Sequence, residues 1–101
     1  METRDNFGPK AHIFVCVNIR DDPHRDCCQR VGGEEVVQAL KDWVNKESLR
    51  DKIWVSKSKC LGFCNPVGAT VVVYPHQKWF MQVKKEDVAS VAAQVKLLVS
   101  P

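Results

Sequence analysis

The pattern of apolar and polar positions predicts that the first half of the chain forms a strand, a helix and a second strand. Residues 12–17 form a short β-branched and aromatic run that predicts a buried strand, and residues 53–55 predict another. From Gly33 onward, apolar residues recur every three or four positions, with charged residues between them, which predicts an amphipathic helix. Its apolar positions are Val36, Val37, Leu40, Trp43 and Val44.

The second half predicts a hairpin and a closing helix. Residues 70–74 and 79–83 are β-rich and flank a turn that begins at Pro75. Apolar residues then recur at helical spacing from Val88 to Leu98 or Val99. We therefore expect an α/β fold with a four-stranded mixed sheet and two main helices, in the order βαβ followed by ββα. Residues 1–11 are expected to be a flexible lead-in to one domain over residues 12–101.

Composition and charge narrow the class of protein. The chain has 101 residues, of which 45% are hydrophobic and 27% charged, as expected of one globular domain. It contains neither an apolar stretch long enough to span a membrane nor the apolar region of a signal peptide near residue 1, so we expect a cytoplasmic protein without membrane contact. The 15 basic and 12 acidic residues are scattered, which argues against nucleic-acid binding.

Five cysteines are the residues most informative about chemistry. In a reducing compartment, cysteines favour metal binding or redox chemistry over disulfides. The strands of a strand–helix–strand unit pair in parallel, so residues at their carboxyl ends meet at one edge of the sheet. Cys16 and a loop with Cys27 and Cys28 follow the first strand, whereas Cys60 and Cys64 follow the second. The sequence therefore predicts a metal or cluster site at that edge.

Cysteine spacing favours an iron–sulfur cluster while leaving zinc open. Four thiolates suit tetrahedral zinc or an iron–sulfur cluster, but structural zinc sites usually consist of two short cysteine pairs. Here only Cys60 and Cys64 form such a pair. The remaining ligands would be Cys16 and either Cys27 or Cys28, a wide spacing that is more natural for a two-iron cluster. Buried thiols without a metal are the third alternative.

A family resemblance is carried jointly by five segments: HIFVCVN, CCQR ahead of Gly-Gly and a helix, CLGFC, VVVYP and WFMQVKKEDV. Together they resemble the thioredoxin-like [2Fe–2S] ferredoxins of the Shethna protein I type, over residues 12–98. The resemblance implies a thioredoxin-like fold, one-electron transfer with a redox partner protein, no substrate turnover and a homodimer. It also implies a [2Fe–2S] cluster held by Cys16, Cys27, Cys60 and Cys64.

Two kinds of alternative remain: a different second ligand, which follows from departures from the family pattern, and a different class of protein. Asp26 stands where the family has a small residue, and Cys28 lies beside Cys27, so Cys28 is the alternative second ligand. A thioredoxin-type thiol oxidoreductase is disfavoured because no Cys-x-x-Cys begins a helix after the first strand. A structural zinc module and a cluster-sensing interaction module remain the alternatives to an electron carrier.

Overall fold

A computed structural model describes residues 1–18, 32–59, 61–62 and 67–100 of the chain. Its helices and strands follow the predicted order. They are β1 (Ala11–Cys16), α1 (Gly33–Lys46), β2 (Ile53–Ser58), β3 (Ala69–Tyr74), β4 (Lys78–Val83), a 3₁₀ turn (Lys85–Asp87) and α2 (Val88–Val99). The predicted loop over residues 18–30 lies almost wholly outside the described residues.

The strands form one mixed sheet in the order β2-β1-β3-β4. β1 and β2 are parallel, as predicted, whereas β3 is antiparallel to both β1 and β4. β2 extends three residues beyond its predicted end because its polar residues continue the backbone pairing with β1 up to Cys16 and Ser58. The α/β architecture with a four-stranded mixed sheet and two helices is therefore confirmed.

Both helices contribute to a core made largely of valine, isoleucine and leucine. Ile13 and Val15 of β1 alternate with half-buried residues, as expected for a strand that faces the core on one side only. The core also includes the apolar residues that had the predicted helical spacing. Fully buried members on the other elements include Val36, Leu40, Ile53, Val71, Val73 and Val95.

The opposite side of the sheet carries aromatic and apolar side chains. We call this surface the open sheet face; it consists of His12, Phe14, Trp54, Tyr74, Trp79 and Met81. The exposed fraction is 39% for Trp54, 41% for Tyr74 and 46% for Met81. None of the described strand positions on this side is Asp, Glu, Lys or Arg. The sheet therefore presents an uncharged surface on the side away from its core.

His12 lies at the centre of an aromatic cluster on the open sheet face. Its ring stacks on Phe14 with a centroid distance of 4.1 Å and meets Trp54 edge-on at 5.5 Å. The Nε2 atom of His12 is 2.7 Å from Oγ of Ser56, within hydrogen-bond distance. Burial lowers the pKa of His12 below its ordinary value of 6.5. The folded protein therefore favours the neutral imidazole.

Acidification is expected to destabilise the protein through His12. As the pH falls from about 7 through 6.5 toward the lowered pKa, the unfolded chain binds more protons than the folded chain, so the free energy of unfolding decreases. His12→Gln should make this decrease smaller, as measured by urea unfolding at pH 7 and pH 5. His76→Gln, in the exposed turn after β3, is the matched control. Equal pH dependence in His12→Gln and the unchanged protein would contradict the assignment.

The amino-terminal segment packs against the β2 side of the sheet. The backbone N–H of Lys10 donates to the carbonyl of Lys52 at 2.8 Å. The ring of Phe7 lies edge-on to Trp54 with a centroid distance of 6.2 Å, and the Arg4 guanidinium is 5.0 Å from the centre of the Phe7 ring. This segment therefore extends the aromatic cluster, and β1 begins at Ala11, one residue before its predicted start.

Candidate metal centre

Cys16 is the last residue of β1 and the predicted ligand that the structure describes. Its side chain has 0% exposure and is a free thiol. It also belongs to the core cluster, so neighbouring apolar residues separate the sulfur from water. A buried, unpaired thiol at a strand end is a soft donor of the kind that zinc and iron–sulfur clusters take.

The end of β2 lies directly beside Cys16. The register of the parallel pair places Cys16 opposite Ser58, and the pairing continues when the N–H of Val17 donates to the carbonyl of Ser58 at 3.0 Å. Beyond Ser58 the chain continues through Lys59 into the segment that carries Cys60 and Cys64 in the sequence. The two strands that precede the predicted ligand segments therefore end side by side, as the sequence predicted.

The amino-terminal end of α1 reaches the same edge of the sheet. The Nζ atom of Lys57, near the end of β2, is 2.8 Å from Oε2 of Glu34 in the first turn of α1. Gly32 caps this helix in the left-handed conformation, with φ of 99°. Unpaired N–H groups give a helix amino terminus a partial positive charge that favours nearby anions, and thiolates are anions. Glu34 and Glu35 partly offset this charge.

The other predicted ligands lie outside the described residues. Cys27, Cys60 and Cys64 are among them, as is the alternative ligand Cys28, so the four-cysteine ligand set remains a prediction. Within the described ranges, no group of three or more His, Cys, Asp or Glu side chains could hold a metal ion.

Leu61 and Gly62, which follow Cys60 in the sequence, are described. Leu61 is half-buried and packs against the core cluster, whereas Gly62 has a φ of +90°, which glycine adopts without strain. The sequence predicts Leu61 as a shield for the cluster and Gly62 as part of a tight loop. Its core contacts suit Leu61 to excluding water from this edge of the sheet.

Two features escaped prediction from the sequence. The first is the position of His12, the first residue of the first predicted strand, which is half-buried and stacked on Phe14. The alternation of His12 and Phe14 with buried residues was the available signal for the open sheet face. The second feature is a groove beside β2 that includes Lys41 and Arg50, and their separation in sequence gave no signal of it.

Several known proteins that are similar to this chain are named as [2Fe–2S] ferredoxins. The 2Fe–2S ferredoxin of Clostridium pasteurianum is 31% identical over 83% of this chain and 82% of its own length. That of Aquifex aeolicus (strain VF5) is 39% identical over 76% of this chain and 70% of its own length. The crystal structure of the wild-type thioredoxin-like [2Fe–2S] ferredoxin from Aquifex aeolicus superposes with a TM-score of 0.79 and 31% identity, over 93% of this chain and 92% of that one.

These similarities extend over most of the chain. No family model matches the chain. The relatives nevertheless exceed 30% identity over most of both lengths, and the structural match extends across the sheet and both helices. The fold is thus thioredoxin-like. The chain belongs to the thioredoxin-like [2Fe–2S] ferredoxin family. In the part of the chain that the structure describes, no helix is long and apolar enough to cross a membrane.

Proposed function

We propose that this protein is a one-electron carrier whose [2Fe–2S] cluster is held by Cys16, Cys27, Cys60 and Cys64. The observation that supports this most is the buried free thiol of Cys16, paired beside the end of β2 in a chain of the ferredoxin family. Its soft donor chemistry fits the cluster. Cys60 follows β2 by two residues in the sequence, which is the reason for proposing that the two ligand segments meet there.

The residues at the candidate centre would hold the cluster and limit its contact with water. A bound [2Fe–2S] cluster supplies reversible one-electron chemistry. Cys16 would contribute a thiolate from a position fixed by sheet pairing. Leu61 packs against the core cluster to which Cys16 belongs. With four cysteines and no histidine ligand, the reduction potential is expected to be about −300 to −400 mV.

The proposed carrier transforms no substrate and works in the cytoplasm. It receives and delivers electrons through a redox partner protein. The names of the relatives, which are ferredoxins, support a carrier. Coulometric titration of the purified protein tests this directly. One electron per chain, taken up and returned reversibly, is the expected result.

A structural zinc module and a cluster-sensing interaction module are the rival functions. A zinc protein would use the same thiols but would neither take up electrons nor absorb visible light. A cluster sensor would bind the cluster but would change its affinity for a partner with the redox state. Neither rival is favoured by a contact in the described residues, whereas family membership favours the carrier.

We further propose that two copies of the chain associate through the open sheet face. Aromatic side chains and methionine, with charged residues depleted, are typical of the buried centres of interfaces. The face spans four strands, and three of its large apolar side chains are about two-fifths exposed. Such a sheet measures about 15 Å across its strands and about 17 Å along them. The projected area of such a face, about 250 Å² from these dimensions, is below the roughly 800 Å² per partner of a standard interface, so the proposed contact also takes in the adjoining Phe7 segment.

Tyr74→Glu is expected to convert the dimer to a monomer. The substitution places a charge between the paired faces, where it would lose its hydration without gaining a partner. Molar mass by light scattering after size-exclusion chromatography gives the readout, with iron content recorded on the same sample. Leu97→Glu, on the exposed outer side of α2, is the matched control. A monomeric unchanged protein, or a Tyr74→Glu variant that stays dimeric, would contradict this interface.

A further inference from the structure

A groove runs along the outer side of β2, at the edge of the sheet. It has a volume of about 440 Å³ and lies between β2 and the end of α1. One wall is formed by Lys41, Val44 and Asn45 of α1 together with Arg50, and the other by residues 53–56 of β2. The candidate metal centre does not include any of these residues.

The groove faces the backbone edge of β2 rather than one side of the sheet. Successive side chains of a strand point to opposite faces, so a cavity over one face would be lined by alternate residues. Here four consecutive residues, Ile53 to Ser56, line the groove. Among the described residues, β2 pairs only with β1. On the opposite edge the N–H of Ile53 already donates to the carbonyl of Leu49 at 2.8 Å. The N–H and C=O groups of Val55 and Lys57 point away from β1 and are available to another strand.

The second edge strand of the sheet is less suited to receive another strand. β4 contains Gln82 with a φ of 57°, and its pairing with β3 shifts register between Ala69 and Val71. Such irregularities bend an edge and hinder strand addition. β2 instead keeps an unbroken register over its six residues. Regular strand addition therefore favours the β2 edge.

The charge of the groove indicates what kind of strand it would take. Lys41 and Arg50 are exposed lining residues, and the described lining contains no Asp or Glu. Neither cation forms an ion pair with another described residue. A second copy of this edge would bring two such cation pairs together, which disfavours self-pairing. An incoming strand with acidic side chains would complement them.

We propose that this groove binds an extended acidic segment of the redox partner, which adds to the edge of β2 as a further strand. The proposal rests on the electron-carrier function. Backbone hydrogen bonds to β2 would supply much of the affinity, while Lys41 and Arg50 would select acidic side chains. Ser56 lies two residues before Ser58, or about 7 Å at the rise of a strand. Docking there would hold the partner beside the carboxyl ends of β1 and β2, where Cys16 lies.

A blocked six-residue peptide in which aspartate alternates with valine is the probe. It is titrated into the cluster-loaded protein at low salt, with heat and the amide resonances of β2 as readouts. We expect binding that weakens as salt is raised. We also expect slower hydrogen exchange at the amides of Val55 and Lys57, which point away from β1. The double variant Lys41→Glu with Arg50→Glu should bind about tenfold more weakly or worse, since opposing charges are replaced by like charges.

The control variant carries the same change in net charge elsewhere. Lys85→Glu with Lys96→Glu alters two exposed lysines that do not line the groove, and it should bind the peptide as the unchanged protein does. Equal weakening in both double variants, or an unperturbed β2 edge, would overturn the proposal. So would a change in oligomeric state caused by the groove variant alone. Iron content and the visible spectrum of each sample test the carrier function separately from peptide binding.

Discussion

Replacement of Cys16 by alanine is expected to leave the protein with almost no bound iron. The substitution removes a thiolate at a position that the β1–β2 register fixes, and alanine offers no donor in its place. The visible absorption should disappear with the iron. Anaerobic purification, followed by iron analysis and a visible spectrum, measures both quantities on one sample. Far-ultraviolet circular dichroism checks that the variant retains its helices and sheet.

Ser58→Ala is the matched control for the Cys16 variant. Ser58 lies opposite Cys16 on β2, so the control alters the same edge without removing a proposed ligand. Its iron content should equal that of the unchanged protein. A folded Cys16→Ala variant that retains two irons per chain would exclude Cys16 from the ligand set. A parallel Cys28→Ala variant that retains its iron would support Cys27 as the second ligand.

Gly68→Ala is expected to cause the largest loss of stability among single methyl additions to the described glycines. A Cβ atom at residue 68 would lie 2.5 Å from the carbonyl carbon of Gln82 and 2.7 Å from the carbonyl oxygen of Val83. Both atoms belong to the backbone of β4, so relief requires the hairpin to move. Such overpacking costs about 3 kcal/mol, and thermal melting followed by circular dichroism should show a midpoint lower by on the order of 15 °C.

Gly8→Ala separates close packing from backbone strain in that experiment. No atom lies within 4 Å of a Cβ added at Gly8, although its φ of +117° makes alanine unfavourable there. This variant should lose only about 1 kcal/mol. A Gly68→Ala variant as stable as the Gly8→Ala variant would show that the backbone of β4 does not approach residue 68 so closely.

The main elements of the fold could be predicted from the sequence because their patterns are local. The spacing of Val36, Leu40 and Val44 marks one face of a helix, and it alone locates α1. The extension of β2 through Lys57 and Ser58 could not be predicted. Those residues favour a strand only because β1 offers them backbone partners, and that contact is long-range.

The sequence predicts where the candidate site lies in the sheet, but it does not predict which side chains surround the site. The rule that parallel strands end at one edge placed Cys16 beside the end of β2, where the structure has it. The contact between Lys57 and Glu34 depends on how α1 packs across the sheet, which no local pattern encodes. The same holds for the groove, since Lys41 and Arg50 come together with β2 only through tertiary packing. Ligation by Cys16, Cys27, Cys60 and Cys64 remains a prediction.

The central claim is that this chain carries electrons on a [2Fe–2S] cluster. The most direct test is the visible absorption spectrum of anaerobically purified protein, before and after dithionite, with iron and zinc counted on the same sample. We expect a brown protein with about two irons per chain whose colour bleaches on reduction. A colourless protein that holds one zinc and does not respond to dithionite would contradict the carrier function and establish a structural zinc site instead.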